Sequence, residues 1–109
     1  GNYMPLIKFV SHDGNEQEVH AASGTSVMHA AVDNGIDGII AECGGACSCA
    51  TCHCYVDEAW LSKLEEPSAI EKEMIECVLD PEPNSRLSCQ VVVTDELDGL
   101  VVRLPENQF

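Results

Sequence analysis

The chain contains few basic residues, few aromatic residues and no long apolar run. Only 5 of its 109 residues are Lys or Arg, against 19 Asp and Glu, so the formal net charge is −14. Such a charge repels a phosphate backbone, which argues against nucleic acid and favours basic protein partners. No apolar run approaches the roughly 18 residues of a membrane span, and no secretory signal is visible. We therefore expect a soluble cytoplasmic protein that does not contact a membrane.

The length bounds the domain organisation. A chain of 109 residues fits one ordinary domain, and a hydrophobic content of 45% is enough for a core. We expect a single domain over residues 1–109, in which residues 1–3 are a remnant of cloning before the natural Met4. No acid, base and nucleophile form a catalytic constellation in the sequence, so we do not expect an enzyme.

Periodicity and turn residues predict an α+β fold, with an open mixed sheet and a helix packed across it. The predicted strands cover residues 6–10, 18–21, 86–93 and 100–104, with another starting at Tyr55. The predicted helices are one capped by Ser23 or Thr25 and ended by Asn34-Gly35, one over 58–64 and one over 68–79. The last helix should bury four apolar residues, which are Ile70, Met74, Ile75 and Val78. Residues 37–54 show no period and predict a loop that something else must shape.

Cysteine is the residue that the chain has in excess. Seven cysteines without a signal peptide argue against a secreted disulfide framework and favour a reducing compartment. Five of the seven lie between Cys43 and Cys54, which is too crowded for several unstrained disulfides. The thiols of this segment are therefore candidate metal ligands.

The spacing of these cysteines is selective. The plant-type pattern Cys-x4-Cys-x2-Cys fails from every starting cysteine. The four-iron pattern Cys-x2-Cys-x2-Cys also fails, because after Cys49 and Cys52 the third position is occupied by Tyr55. A spacing of Cys-x5-Cys-x2-Cys is satisfied only by Cys43, Cys49 and Cys52. Spacing alone leaves the fourth ligand open between Cys77 and Cys89.

Three other uses of cysteine and histidine fit this sequence less well. Four thiolates also satisfy tetrahedral zinc, but zinc sites usually pair two short cysteine hooks, and here only one hook is present. A redox-active pair Cys49-Ala50-Thr51-Cys52 lacks the strand that normally precedes such a motif. A Rieske centre needs two histidine ligands, and the distant histidines have no ligand spacing; they are His12, His20 and His29. An iron–sulfur cluster remains the favoured hypothesis.

The segment CGGACSCATCH from Cys43 to His53, followed by Cys89, resembles the adrenodoxin and putidaredoxin family of [2Fe–2S] ferredoxins. The stretches from Pro83 to Gln90 and Glu96 to Gly99 extend the likeness over nearly the whole chain. The resemblance implies a β-grasp fold and one [2Fe–2S] cluster held by four thiolates, those of Cys43, Cys49, Cys52 and Cys89. It also implies that His53 joins the cluster loop to the body of the protein by hydrogen bonds.

The resemblance further implies a partner-docking surface. In that family an acidic helix docks on basic patches of its redox partners. The residues implied here are Glu42, Glu71, Glu73, Glu76 and Phe109. The implied bacterial carrier is a monomer that forms transient complexes and takes single electrons from an NAD(P)H-dependent, FAD-containing ferredoxin reductase to a haem-thiolate (cytochrome P-450) monooxygenase. The alternatives are an electron donor for iron–sulfur cluster assembly and, from a different class, a structural zinc-binding module.

Overall fold

The computed structural model describes residues 4–36, 52–78 and 80–106. Five strands form one mixed sheet, ordered β2-β1-β5-β3-β4. The strands are β1 (Leu6–Val10), β2 (Glu16–His20), β3 (His53–Val56), β4 (Ser85–Leu87) and β5 (Leu100–Arg103). The helices are α1 (Val27–Asp33), α2 (Glu58–Leu61) and α3 (Ala69–Ile75), with 3₁₀ turns at Ser88–Gln90 and Asp95–Leu97. The α+β prediction is confirmed. Within the described ranges, no helix has the length and apolar character that a bilayer crossing requires.

Strand pairing fixes where the cysteines lie. β1 pairs antiparallel with β2 and parallel with β5. β3 pairs antiparallel with both β5 and β4, and His53 lies opposite Leu87. Because β3 and β4 run in opposite directions, the residue before β3 and the residues after β4 lie at the same end of the pair. Cys52 and Cys89 are therefore brought to one end of the sheet.

The core lies between the sheet and α1. Alternate residues of the central strands point inward, so Ile7 and Phe9 of β1 are buried, as are Leu100 and Val102 of β5. The buried face of α1 consists of Val27, Met28, Ala30 and Ala31. Full burial of a large apolar side chain contributes about 1.5 to 3 kcal/mol, so this layer is the main source of stability.

Helix α1 begins later than the sequence predicted. The N-cap is Ser26, whose Oγ accepts a hydrogen bond from the backbone N–H of His29 at 3.1 Å. The candidate cap Ser23 instead donates its hydroxyl to Asp95 at 2.6 Å, so it ties two loops together. The predicted end is confirmed, because Asn34 is the C-cap and Gly35 has a φ of +67°.

Helix α3 begins where predicted, ends earlier, at Ile75, and buries the predicted face except at Ile70. Ser68 caps it by accepting from the backbone N–H of Glu71 at 3.1 Å. Ile70 is 63% exposed, so its predicted inward position is wrong. The predicted inward positions of Met74, Ile75 and Val78 are confirmed, and Glu71 takes the fourth place because neighbours on a helix face are separated by three or four residues. Glu71 is buried in the place expected for an apolar residue.

The predicted strand over residues 86–93 is too long. β4 ends at Leu87, and a 3₁₀ turn over Ser88–Gln90 follows. Beyond that turn the chain leaves the sheet, because its backbone bonds the segment before α1. The N–H of Val27 donates to the carbonyl of Val91 at 2.8 Å, and the N–H of Val93 donates to the carbonyl of Thr25 at 2.8 Å.

Gly99, at the entry to β5, supports a testable difference in stability. Its φ is +96°, and a Cβ at this position would lie 3.4 Å from Cζ2 of Trp60. Gly99→Ala should lower the free energy of unfolding by about 2 kcal/mol, because backbone strain adds to a tight contact with a ring. Gly14→Ala is the matched control, since Gly14 has a φ of +91° and open space around it. Urea unfolding should show a smaller loss for Gly14→Ala, and equal losses would remove the ring contact from this explanation.

Candidate metal centre

Two of the four predicted ligands lie side by side. The Sγ atoms of Cys52 and Cys89 are 3.1 Å apart. Cys52 is fully buried and Cys89 is 9% exposed. One residue comes immediately before β3 and the other from the turn after β4, so the antiparallel pairing of these strands produces the contact.

The other predicted ligands, Cys43 and Cys49, lie outside the described residues, as do the docking candidates Glu42 and Phe109. Among residues 4–36, 52–78 and 80–106, no three His, Cys, Asp or Glu side chains form a cluster suited to a metal ion. The described part of the chain therefore supplies half of the predicted ligand set.

The pair Cys52 and Cys89 fits a metal centre. A separation of 3.1 Å exceeds the sulfur–sulfur bond of a disulfide, about 2.05 Å. A tetrahedral ion with metal–sulfur bonds of about 2.3 Å holds two sulfurs about 3.8 Å apart, so the pair needs to open only slightly to bind one ion. As thiolates, two buried sulfurs at this distance would need a cation to compensate their charge.

Ser88 and Gln90 hold this pair from either side. The backbone N–H and the hydroxyl of Ser88 both donate to the carbonyl of Cys52, each at 2.8 Å. The side-chain amide of Gln90 donates to Sγ of Cys89 at 3.4 Å. A hydrogen bond to a thiolate stabilises its negative charge, so Gln90 would also influence the electronic properties of a metal bound at Cys89.

Ser88→Ala should loosen the two cysteine segments without unfolding the chain. Ser88 is fully buried, and removal of its hydroxyl deletes one of two hydrogen bonds to Cys52. We expect a loss of about 1 kcal/mol in the free energy of unfolding and faster loss of the bound metal to a chelator. The exposed Ser62→Ala is the control and should change neither quantity. Equal rates of metal loss in the two variants would show that the Ser88 hydroxyl does not hold the two cysteine segments together.

His53 connects the metal centre to the segment after α3. Its Nε2 shares a hydrogen bond of 2.8 Å with Oγ of Ser85, and that oxygen also accepts from the backbone N–H of Glu82 at 2.8 Å. Burial lowers the pKa of His53 to about 4, because desolvation penalises the imidazolium. The neutral ring also contacts Tyr55 edge-on, with ring centroids 4.7 Å apart. The contact with Ser85 agrees with the predicted bridging role.

The remaining described cysteines differ in their surroundings. Cys54 is fully buried in β3, and burial raises the pKa of its thiol to about 12, so the thiol is neutral and packs as a small apolar group. Cys77 is exposed beyond α3, and its thiol lies 3.8 Å from the carbonyl of Glu73. Its side chain is at the surface, whereas Cys89 lies beside Cys52.

The prediction that Glu71 is a docking residue is wrong. Its side chain is 1% exposed, and its carboxylate accepts from Nε of Arg86 at 2.6 Å and from Nη2 at 3.0 Å. It also accepts from the backbone N–H of Leu87 at 3.0 Å. A carboxylate held in this way offers no charge to a partner. This ion pair was not predicted from the sequence, although Glu71 stands in helical register with Met74, Ile75 and Val78, which is the signal that reveals an inward position.

The other acidic residues of this region do face the solvent. Glu73 and Glu76 are exposed on and just after α3. The exposed acids around them are Glu65, Glu66, Asp80 and Glu82. We call these six residues the acidic face. Ile70, 63% exposed, is an apolar residue on the same helix.

A mixed sheet that brings two buried thiols together at one end of two antiparallel strands defines a metal-binding α+β protein. The family of the 2Fe-2S iron-sulfur cluster binding domain matches residues 10–94. Putidaredoxin of Pseudomonas putida is 51% identical over 109 residues, covering 97% of this chain and all of that protein.

Solved structures agree with the sequence comparison. A ferredoxin from Rhodopseudomonas palustris HaA2 superposes with a TM-score of 0.94 at 52% identity, covering 96% of this chain and all of the other. Putidaredoxin in a covalent complex with putidaredoxin reductase superposes with a TM-score of 0.89 at 50% identity, covering 92% of this chain and 97% of the other.

The chain belongs to the [2Fe–2S] ferredoxin family, and its relatives are of the putidaredoxin type. It has the β-grasp fold, its cofactor is a [2Fe–2S] cluster, and it is an electron carrier rather than an enzyme. These predictions from the sequence are confirmed. A structural zinc module does not fit this family.

Proposed function

We propose that Cys43, Cys49, Cys52 and Cys89 hold the cluster. The observation that supports this set is the buried pair of sulfurs at 3.1 Å, in which the cysteine from the distant segment is Cys89. Cys77 would have to leave the surface to take that place. When bound, the cluster accepts and releases one electron at a time. Around it, Ser88 fixes the cysteine backbone, Gln90 donates to a sulfur, and the buried strands exclude water.

The carrier takes electrons from an FAD-containing, NAD(P)H-dependent ferredoxin reductase and delivers them to a haem-thiolate monooxygenase. The reductase step is supported by a relative 50% identical to this chain that forms a complex with its reductase. Delivery to iron–sulfur cluster assembly remains the alternative and has no separate observation in its favour. The chain works as one domain, as a monomer in transient complexes, in the cytoplasm, where thiols remain reduced.

The acidic face supplies the electrostatic attraction for these encounters. Its six carboxylates are exposed, so they speed association with a basic partner without making the complex tight. Such attraction weakens as salt rises, because the screening length is about 10 Å at 0.1 M ionic strength. Docking therefore involves Glu73 and Glu76, together with Glu42 and Phe109, and does not involve Glu71.

Removal of two charges from the acidic face tests this assignment. Glu73→Gln combined with Glu76→Gln should lower the second-order rate constant with putidaredoxin reductase by roughly threefold to tenfold at low salt, with little effect at high salt. The control is Glu16→Gln combined with Glu18→Gln, which removes equal charge from the exposed β2 strand at the far edge of the sheet. Equal losses in both variants would mean that only total charge matters.

A further inference from the structure

The ion pair of Glu71 and Arg86 lies beside the proposed cluster ligands. Arg86 belongs to β4, where it pairs with Cys54, and it precedes Cys89 by three residues. Three residues of extended chain span at most about 10 Å, so the backbone of Arg86 lies within that distance of Cys89. The carboxylate of Glu71 accepts from the N–H of Leu87 at 3.0 Å, which places it at a similar range.

Burial makes both charges effective over this range. The side chains of Glu71 and Arg86 are 1% and 7% exposed, so salt and water screen them weakly. Between them they make four hydrogen bonds: three to the Glu71 carboxylate and one from Nη1 of Arg86 to the carbonyl of Glu65 at 2.9 Å. The geometry is therefore fixed, and the opposite charges largely cancel at the cluster.

We propose that Glu71 and Arg86 are positioning residues that balance charge at the cluster. Their hydrogen bonds fix the strand that leads to Cys89, and because their charges cancel, neither charge alone shifts the reduction potential of the cluster. The inference rests on the proposed ligand set. Reduction adds one electron from the reductase, taking the formal charge from −2 to −3 while no bond forms or breaks. A positive charge left alone favours the reduced form, and a negative charge left alone disfavours it.

The test is a set of reduction potentials measured on cluster-loaded protein by dithionite titration with redox dyes. Glu71→Gln should favour reduction by about tenfold, which is about 59 mV upward, from Coulomb's law over about 10 Å at an effective dielectric of about 20. Arg86→Gln should disfavour reduction by a similar factor, which lowers the potential. The double variant Glu71→Gln/Arg86→Gln should return to within about twofold of the parent.

Two control variants separate charge from structure. Glu73→Gln removes the same charge from an exposed position on the same helix, and screening should keep its shift below about twofold. Glu71→Asp keeps the buried charge and should retain the parent potential even if the protein becomes less stable. If Arg86→Gln holds no cluster, the decision rests on Glu71→Gln compared with these two controls.

Shifts of the same sign for both single variants would overturn the inference, as would a Glu71→Gln potential equal to that of Glu73→Gln. Failure of the ligand assignment has a different signature. In that case Cys89→Ser would keep the parent spectrum, whichever way the potentials of the ion-pair variants move.

Discussion

Cys89→Ser is expected to abolish nearly all visible absorption of the purified protein. Cys89 is the buried partner of Cys52, and a serine hydroxyl is a far poorer ligand for iron than a thiolate. Losing one of four thiolates exposes the iron to water, so the cluster should be lost during purification. The measurement is the visible absorption spectrum with iron and sulfide analysis of anaerobically purified protein.

Cys77→Ser is the matched control, because it is the same substitution at an exposed cysteine. Its iron and sulfide content should equal that of the parent. The opposite pattern, with a normal cluster in Cys89→Ser and none in Cys77→Ser, would make the ligand assignment wrong. Cys54→Ser separates packing from ligation, since it should cost stability while the spectrum is retained.

Glu71→Leu is expected to lower the free energy of unfolding by about 3 to 5 kcal/mol. The substitution leaves the guanidinium of Arg86 buried without its carboxylate and removes the acceptor of the Leu87 N–H. An uncompensated buried charge costs far more than an exposed one. Urea unfolding of the cluster-loaded protein, followed by far-ultraviolet circular dichroism, measures the loss.

Glu73→Leu, on the exposed side of the same helix, should change stability by no more than about 0.5 kcal/mol. The double variant Glu71→Leu/Arg86→Met should recover much of the loss, because an apolar pair has no charge to desolvate. A loss below about 1 kcal/mol for Glu71→Leu alone would show that the ion pair contributes little to the contact between α3 and β4.

The elements predicted correctly from the sequence are those set by turn and capping residues close to one another in the chain. The turn between β1 and β2, the end of α1 at Asn34-Gly35 and the start of α3 after Ser68 each depend on a few neighbouring residues, and each lies where expected. The prediction of a long strand over residues 86–93 was wrong, because the chain leaves the sheet after Leu87 and forms hydrogen bonds with the segment at the start of α1. That contact joins residues far apart in sequence, so no local pattern contains it.

The candidate site divides in the same way. Spacing selected Cys43, Cys49 and Cys52 because these three cysteines lie within one short segment, where the sequence alone gives their separation. It could not choose between Cys77 and Cys89, since that choice depends on the pairing of β3 with β4. Glu71 was misassigned because it stands among six exposed acids, while its partner Arg86 lies 15 residues away on a strand. Composition predicted the acidic face correctly but could not separate the buried Glu71 from its exposed neighbours.

The electron paramagnetic resonance spectrum of the dithionite-reduced chain tests the central claim most directly. A [2Fe–2S] cluster is diamagnetic when oxidised and carries one unpaired spin after one-electron reduction. We expect a signal that integrates to about one spin per chain, with about two iron and two sulfide per chain. A colourless protein that contains zinc and gives no signal after reduction would contradict the account.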